Sequence, residues 1–277
     1  MLYILYFYLM RIILPIFCLI LVSCSKDKVP DILENIVHVS HSRLTDNSEI
    51  NAKATSIDYS KFDLTILGGD MAYLSSYDIQ TMSFLDNIFD LSANTTLWTL
   101  GNHDYSDTSL VRDYTDRNNF YSYHQNGITY LVLDTQMDTC NIVNAQLELV
   151  QSVTDTISAS SHLVVLTHKL IWMVNHPTLH DQIPFISNGH YEPYSYSLHD
   201  NNFYQDIYPK LIDVRNRGIE VICLAGDLGL FANEFEFTTQ DDIHYIASGL
   251  NDASTSDRYL ILEHNITQRT LSWRYKK

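Results

Sequence analysis

A mixed α/β fold follows from three features of the sequence. Short apolar runs rich in Val, Ile and Leu recur along the chain, segments with helical spacing lie between them, and near the end three runs follow one another without a helix. Strands of a parallel sheet buried on both faces read as near-continuous apolar runs, while strands in direct succession indicate antiparallel pairing. With 277 residues, 45% hydrophobic and 18% charged, the chain can bury one substantial core, which predicts a single domain.

Taken in order, the first segment stands apart from that domain. Ile12 to Val22 is an unbroken apolar run behind Arg11, too short to cross a bilayer as a helix but the length of a signal-peptide core. It ends in Leu21-Val22-Ser23-Cys24, which resembles the bacterial lipobox, whose Cys is lipidated and becomes the first mature residue. An uncleaved anchor and a soluble secretory signal are the competing readings. Residues 1–23 are therefore expected to be a lipoprotein signal, with Met10 a better start than Met1. Residues 24–33 would form a tether, polar from Ser25 to Asp31, and residues 34–277 the folded domain. Several acyl chains on Cys24 would hold the protein at a membrane. The expected location is the bacterial cell envelope, facing away from the cytoplasm, with the lipid anchor as the only membrane contact.

Within the domain, Asn35 to Ser40, Asp63 to Leu67, Thr96 to Leu100, Ile128 to Leu133, His162 to Thr167 and Glu220 to Leu224 read as buried strands. Helices are predicted where Ile79, Met82, Leu85, Ile88 and Leu91 recur, where Leu147, Val150 and Val153 recur, and where Phe203, Ile207 and Leu211 recur. Ile243 to Ser248, Arg258 to Glu263 and Arg269 to Tyr275 are the closing strands. Lys169 to Asp200 is long, weakly patterned and rich in His, Pro and Tyr, and a loop of that length in a compact domain is usually functional or disordered.

The formal charge of −16 and the lack of a Lys/Arg stripe argue against a nucleic-acid partner. Of four Cys, Cys18 falls in the signal and Cys24 in the lipobox. Cys140 and Cys223 lack the spacing of a disulfide framework or zinc site, and Cys223 reads as core.

Ligand sites in open α/β sheets form beyond the carboxyl ends of the strands. Those ends read Ser40-His41-Ser42-Arg43, Gly68-Gly69-Asp70, Gly101-Asn102-His103-Asp104, Thr167-His168 and Gly226-Asp227-Leu228-Gly229. Singly, each is explicable as a turn, a cap or a structural histidine. Together, imidazole, carboxylate and amide oxygen suit Zn, Mn, Fe or a similar ion.

This ordered set resembles the calcineurin-like metallophosphoesterase superfamily through GGD at Gly68 to Asp70, GNHD at Gly101 to Asp104 and TH at Thr167-His168. Phe120 to Thr135 is similar to the paired strands that follow GNHD in that family. The resemblance implies a sandwich of two mixed β-sheets flanked by helices. It also implies metal ligation by Asp70, Asn102 and His168, with His103 acting on the leaving group. Asp104 would then orient the His103 imidazole.

Two motifs depart from the family pattern. His41-Ser42-Arg43 stands where Asp-x-His is expected, and Gly226-Asp227-Leu228-Gly229 where Gly-His-x-His is expected. That family holds two metals bridged by the Asp of GGD, so the resemblance implies that both losses would fall mainly on the first metal, which would keep His41 and the shared Asp70. On the same resemblance the second would keep Asp70, Asn102 and His168 and would gain Asp227 as an oxygen donor. The resemblance thus implies one divalent transition metal (Mn, Fe or Zn) per chain. Arg43 would supply fixed charge and a grip on phosphate oxygens.

The expected activity is metal-dependent hydrolysis of a small-molecule or glycan phosphoester outside the cytoplasm. The alternative is a catalytically inactive lipoprotein that binds a phosphorylated or anionic ligand in the same cleft. A hydrolase acting on another kind of ester is a third reading, without support from the motifs. Lys169, His176 and His180 are candidates for substrate contact or plain surface residues. Trp172 is a ring platform or a buried side chain, and Asp46 a weak candidate to complete the first site. The sequence sets no oligomeric state.

Overall fold

The computed structural model describes residues 29–190, 199–251 and 255–277. Leu33–Lys277 forms one compact unit. The expected signal and Cys24 lie outside the described residues.

Eleven strands among the described residues build two sheets. The first contains β1 (Leu33–Val39), β2 (Leu64–Leu67), β3 (Thr96–Trp98), β10 (Tyr259–Asn265) and β11 (Thr270–Lys276), in the order β11-β10-β1-β2-β3. The second contains β4 (Tyr121–Gln125), β5 (Ile128–Val132), β6 (His162–Thr167), β7 (Glu220–Ala225), β8 (Glu234–Thr238) and β9 (Ile243–Ser248), in the order β4-β5-β6-β7-β9-β8. Both are mixed. β1, β2 and β3 pair in parallel, as do β5, β6, β7 and β9, whereas β10, β11, β4 and β8 pair antiparallel at the margins.

Side-chain alternation then assigns the layers. Ile36, Leu64, Ile66 and Leu97 of the first sheet meet Tyr130, Val164, Leu166, Ile222 and Leu224 of the second in a core between the sheets. Val37, Val39 and Leu67 point the other way, onto the helix Ile79–Phe89 through Met82, Leu85 and Phe89. On the far side of the second sheet, Val165, Val221 and Cys223 pack with Val150 of the helix Asn144–Thr156 and Leu211 of the helix Tyr208–Asn216. The result is the expected sandwich with helices on both outer faces.

The helix Ile79–Phe89 starts where Asp78 accepts from the Thr81 N–H and stops at Asp90, which adopts a left-handed conformation with φ 50°. The predicted strands are present with ends shifted by one or two residues, the usual scatter of element boundaries. β1 begins at Leu33, inside the expected tether. The sequence reading omitted β8, although Glu234-Phe235-Glu236-Phe237 alternates with period two as an edge strand does. The segment Lys169 to Asp200 is not one plain loop: it holds short helical turns at Ile171–Met173, His180–Gln182, Ile183–Ile186 and Asn188–His190.

The two sheets are tied together at the carboxyl ends of their parallel strands. The buried His38 ring contacts Ser248 Oγ at 2.9 Å, and Ser40 Oγ donates to the Gly226 carbonyl at 2.5 Å. This joint brings the ends of β1, β2, β3, β6 and β7 to one cleft.

Candidate functional site

A cleft of about 510 Å³ is lined by His41, Arg43, Asp70, Asn102, His103, Asp227, Tyr73, Leu74, Asn188 and Leu230. Asp70 sits at its floor, 2% exposed and in the left-handed region at φ 57°. Its Oδ1 accepts the His103 N–H at 3.0 Å and lies 3.6 Å from His168 Nε2. Its Oδ2 lies 3.6 Å from Arg43 Nε and 3.9 Å from His41 Nε2. His168 Nε2 is also 3.7 Å from Asp227 Oδ1. Gly101 permits this crowding, because a Cβ there would overlap Asp70 Oδ1 and the His168 ring.

Three histidines share one device. His168 Nδ1 meets the Gly68 carbonyl at 2.7 Å, His41 Nδ1 the Leu250 carbonyl at 2.9 Å, and His103 Nδ1 the Tyr73 carbonyl at 2.5 Å. A carbonyl only accepts, so each Nδ1 carries the proton and each Nε2 is left for another partner. In His41 and His168 that nitrogen faces Asp70. Histidines that bind metals are typically held this way.

Electrostatics follow from the crowding. Burial works against the charged form of Asp70, but the imidazoles of His168, His103 and His41 outweigh it and lower its pKa. Burial likewise opposes a charged His168, yet Asp70 and Asp227 overcome it and raise the pKa. His41 goes the other way: burial, against Asp70 and with help from Arg43, pulls it down to about 4.

These donors fit a divalent transition metal. Separations of 3.6 and 3.7 Å around His168 Nε2 are too long for hydrogen bonds. They approach the roughly 3.4 Å between neighbouring donors at tetrahedral bonds of about 2.1 Å. His168 Nε2 is buried with no hydrogen-bond partner among the described residues and stands between two carboxylates, a position that a cation shared by all three would satisfy. The set is open: among the described residues, no three His, Cys, Asp or Glu side chains close into a cage. The amide of Asn102, exposed on the cleft rim, lies outside that residue set.

Asp104 corrects the sequence expectation. Its buried carboxylate does not reach the His103 ring, whose Nδ1 is on the Tyr73 carbonyl. It accepts instead from the backbone N–H groups of Asp70 (2.7 Å), Met71 (3.1 Å) and Gly101 (2.8 Å) and from the Ser75 hydroxyl. Burial and the Asp70 charge push its pKa up, against these hydrogen bonds. Asp104 therefore ties the GGD turn to the GNHD turn and acts on the site through backbone.

The second half of Lys169 to Asp200 delivers one residue that sequence reasoning missed, Asn188. The first half does not reach the cleft. Lys169 is 7% exposed with Nζ 3.5 Å from Cys140 Sγ, beside Leu170, Ile171 and Val174. His176 packs edge-on to Phe237 at 5.1 Å, in a different cavity with Tyr204 and Tyr208. The His180 Nδ1 caps the Asn175 N–H. Trp172 is fully buried and stacked on Tyr245 at 4.7 Å, which excludes a ligand platform. Asp46 is exposed, bonded to Ser48, and lines another cavity. Cys223 is core, as expected.

Gly229, at the place of an expected histidine, has φ 132°, and a Cβ there would overlap the Leu250 carbonyl. The loop path itself excludes a side chain at this position.

A sequence profile described as calcineurin-like phosphoesterase matches residues 37–227. The chain belongs to the calcineurin-like phosphoesterase family. With the family comes the activity class, hydrolysis of phosphoric esters assisted by divalent metal. Among solved structures, a dimetal phosphatase from Danio rerio is 10% identical, with 83% of this chain and 95% of that chain covered and a TM-score of 0.48. The NAD nucleotidase of Haemophilus influenzae is 13% identical, with coverages of 89% and 50% and a TM-score of 0.44. A 5'-nucleotidase precursor from Thermus thermophilus is 12% identical, with coverages of 88% and 54% and a TM-score of 0.44. The chain thus spans about half the length of the two nucleotidases. No curated protein matches the sequence significantly.

Proposed function

We propose that this protein is a lipid-anchored hydrolase of small-molecule or glycan phosphoesters, acting outside the cytoplasm with one metal ion per chain. The observation that carries the single-metal reading is the division of Asp70. One oxygen faces His168, itself 3.7 Å from Asp227, while the other faces the Arg43 guanidinium at 3.6 Å. A second cation beside Arg43 would meet a charge that cannot deprotonate.

Asp70, Asn102, His168 and Asp227 would hold the ion, which when bound supplies Lewis-acid polarisation of a phosphoryl oxygen. Arg43 grips a non-bridging phosphate oxygen. As water adds its oxygen to phosphorus and the ester P–O bond breaks, the His103 imidazolium, its Nδ1 proton fixed on Tyr73, gives its Nε2 proton to the leaving alcohol oxygen and ends as the neutral Nδ1–H tautomer. Tyr73, Leu74 and Leu230 form the apolar side of the cleft, where the alcohol portion of the ester would lie.

Elemental analysis of purified protein with an aryl phosphate assay tests this. About one transition-metal ion and metal-dependent turnover are expected. Two firmly held ions would refute the single-metal reading. Phosphate binding without turnover would favour the inactive ligand-binding alternative, for which the incomplete first site speaks. The lipobox supports the anchor: Cys24→Ala should release the protein from the membrane fraction, and an unchanged membrane-bound form with the same N-terminus would refute lipidation.

A further inference from the structure

Asn188 belongs to no motif singled out in the sequence, yet its environment is unusual. It is 6% exposed, lines the same cleft as Asp70, and starts the turn Asn188–His190. Its backbone N–H donates to the Asp227 carbonyl at 3.1 Å, and its Oδ1 accepts the Leu230 N–H at 2.8 Å. Because the Leu230 group is an N–H donor, the side chain must present oxygen to it, and this fixes which amide atom is nitrogen. Nδ2 is therefore held away from the Leu230 loop. It is buried and has no hydrogen-bond acceptor among the described residues.

A buried amide donor left without an acceptor carries a desolvation cost, so its retention needs an explanation. An oxyanion bound in this cleft would supply that acceptor. Asn188 stands on the Asp227 and Leu230 side, while Arg43, whose buried Nε also lacks a hydrogen-bond partner among the described residues, stands by Asp70. A tetrahedral phosphoryl group presents several oxygens in different directions, and donors from separate loops suit it.

We propose that Asn188 Nδ2 donates a hydrogen bond to a non-bridging phosphoryl oxygen of the substrate, complementing Arg43. This rests on reading the cleft as a phosphoryl site and adds a binding residue to it. The pairing of Oδ1 with Leu230 makes the donor rigid, so the bond forms with little ordering cost.

Asn188→Asp is the discriminating variant. It keeps the shape and the acceptor for Leu230 but replaces the donor with a charged oxygen that repels phosphate. Asn188→Ser, which removes the amide without adding charge, guards against a change in metal content. Inorganic phosphate is the probe, measured by direct binding and by competition with an aryl phosphate, with metal content and melting temperature recorded alongside. Asn188→Asp should bind phosphate at least tenfold more weakly, Asn188→Ser several-fold more weakly, with melting temperature and metal content close to those of the unmodified protein. Unchanged phosphate affinity in both variants would overturn the proposal, as would an unmodified protein that does not bind phosphate. Phosphate binding that weakens in the variants while the unmodified protein shows no turnover would sustain Asn188 and sink the hydrolase reading.

Discussion

Two buried carboxylate–histidine groups lie at opposite ends of β1, and they differ in one respect. At its start, Glu34 is 1% exposed and saturated: Oε2 meets His264 Nδ1 at 3.1 Å, and Oε1 accepts from Gln125 at 2.5 Å and Asn126 at 3.0 Å. Beyond its end, Asp70 is as buried, but its side-chain neighbours His168, Arg43 and His41 stand off at 3.6 to 3.9 Å. Similar residue types at similar burial thus make a structural tie in one place and an open donor set in the other. Hydrogen-bond contact holds parts together, and a spacing a few tenths of an ångström longer leaves room for an ion or a substrate oxygen.

The sharpest way to break this contrast is Asp70→Asn. Loss of the shared carboxylate should reduce bound metal to trace levels and turnover to background, while melting temperature falls less than in a Glu34 variant. Elemental analysis and calorimetry measure the two sides. If Asp70→Asn keeps its metal, the spacing argument fails.

His103→Ala tests the chemistry without touching the donor set. A drop in kcat of about 100- to 10,000-fold with metal retained is expected for a general acid. Metal loss as complete as in Asn102→Ala would assign His103 to ligation instead.

His41→Asp with Arg43→His probes the other side of Asp70. Removing the guanidinium and adding donors should raise bound metal above one ion per chain at saturating Mn or Zn. The second ion should remain the weaker, because the path at Gly229 supplies no ligand. An unchanged stoichiometry would show that more than charge excludes it.

The smallest functional effect is expected at the other end. Burial favours the neutral form of Glu34, but hydrogen bonds from His264, Gln125 and Asn126 outweigh it and keep its pKa below the ordinary value. A carboxyl with a lowered folded-state pKa contributes stability that is present above the unfolded value and lost as pH falls through the folded one. Glu34→Gln should therefore cost roughly 1–3 kcal/mol at pH 7, and less in acid below the folded pKa, with kcat unchanged. A variant as stable as the unmodified protein at pH 7 would contradict the reading of Glu34 as a tie.

Much of the cleft was legible because its motifs are local. GGD, GNHD and TH each follow a strand, and an apolar run with a glycine break marks a strand end in one dimension as in three. The strands were legible too, as apolar runs such as Asn35 to Ser40, but their faces were not, because a run apolar throughout does not say that Ile36 packs between the sheets and Val37 under a helix. Asp104 was misassigned because adjacency to His103 suggested contact, whereas its carboxylate turns back toward the N–H groups of Asp70, Met71 and Gly101. Trp172 and His176 were open because an aromatic beside a motif looks the same whether it faces a ligand or Tyr245 and Phe237.

By itself, the sequence determined the family, the mixed α/β class, the five strand ends that line the cleft, and the two motifs that depart from the family pattern. Tertiary structure alone decided which donors meet and how far apart they stand. The carbonyl that fixes His41 belongs to Leu250, the amide of Asn188 is turned by Leu230, and Glu34 meets His264, all pairings between segments distant along the chain. Residue type and local pattern set what a side chain can bond to. Whether it does so depends on distances of a few tenths of an ångström, fixed only when the two sheets pack.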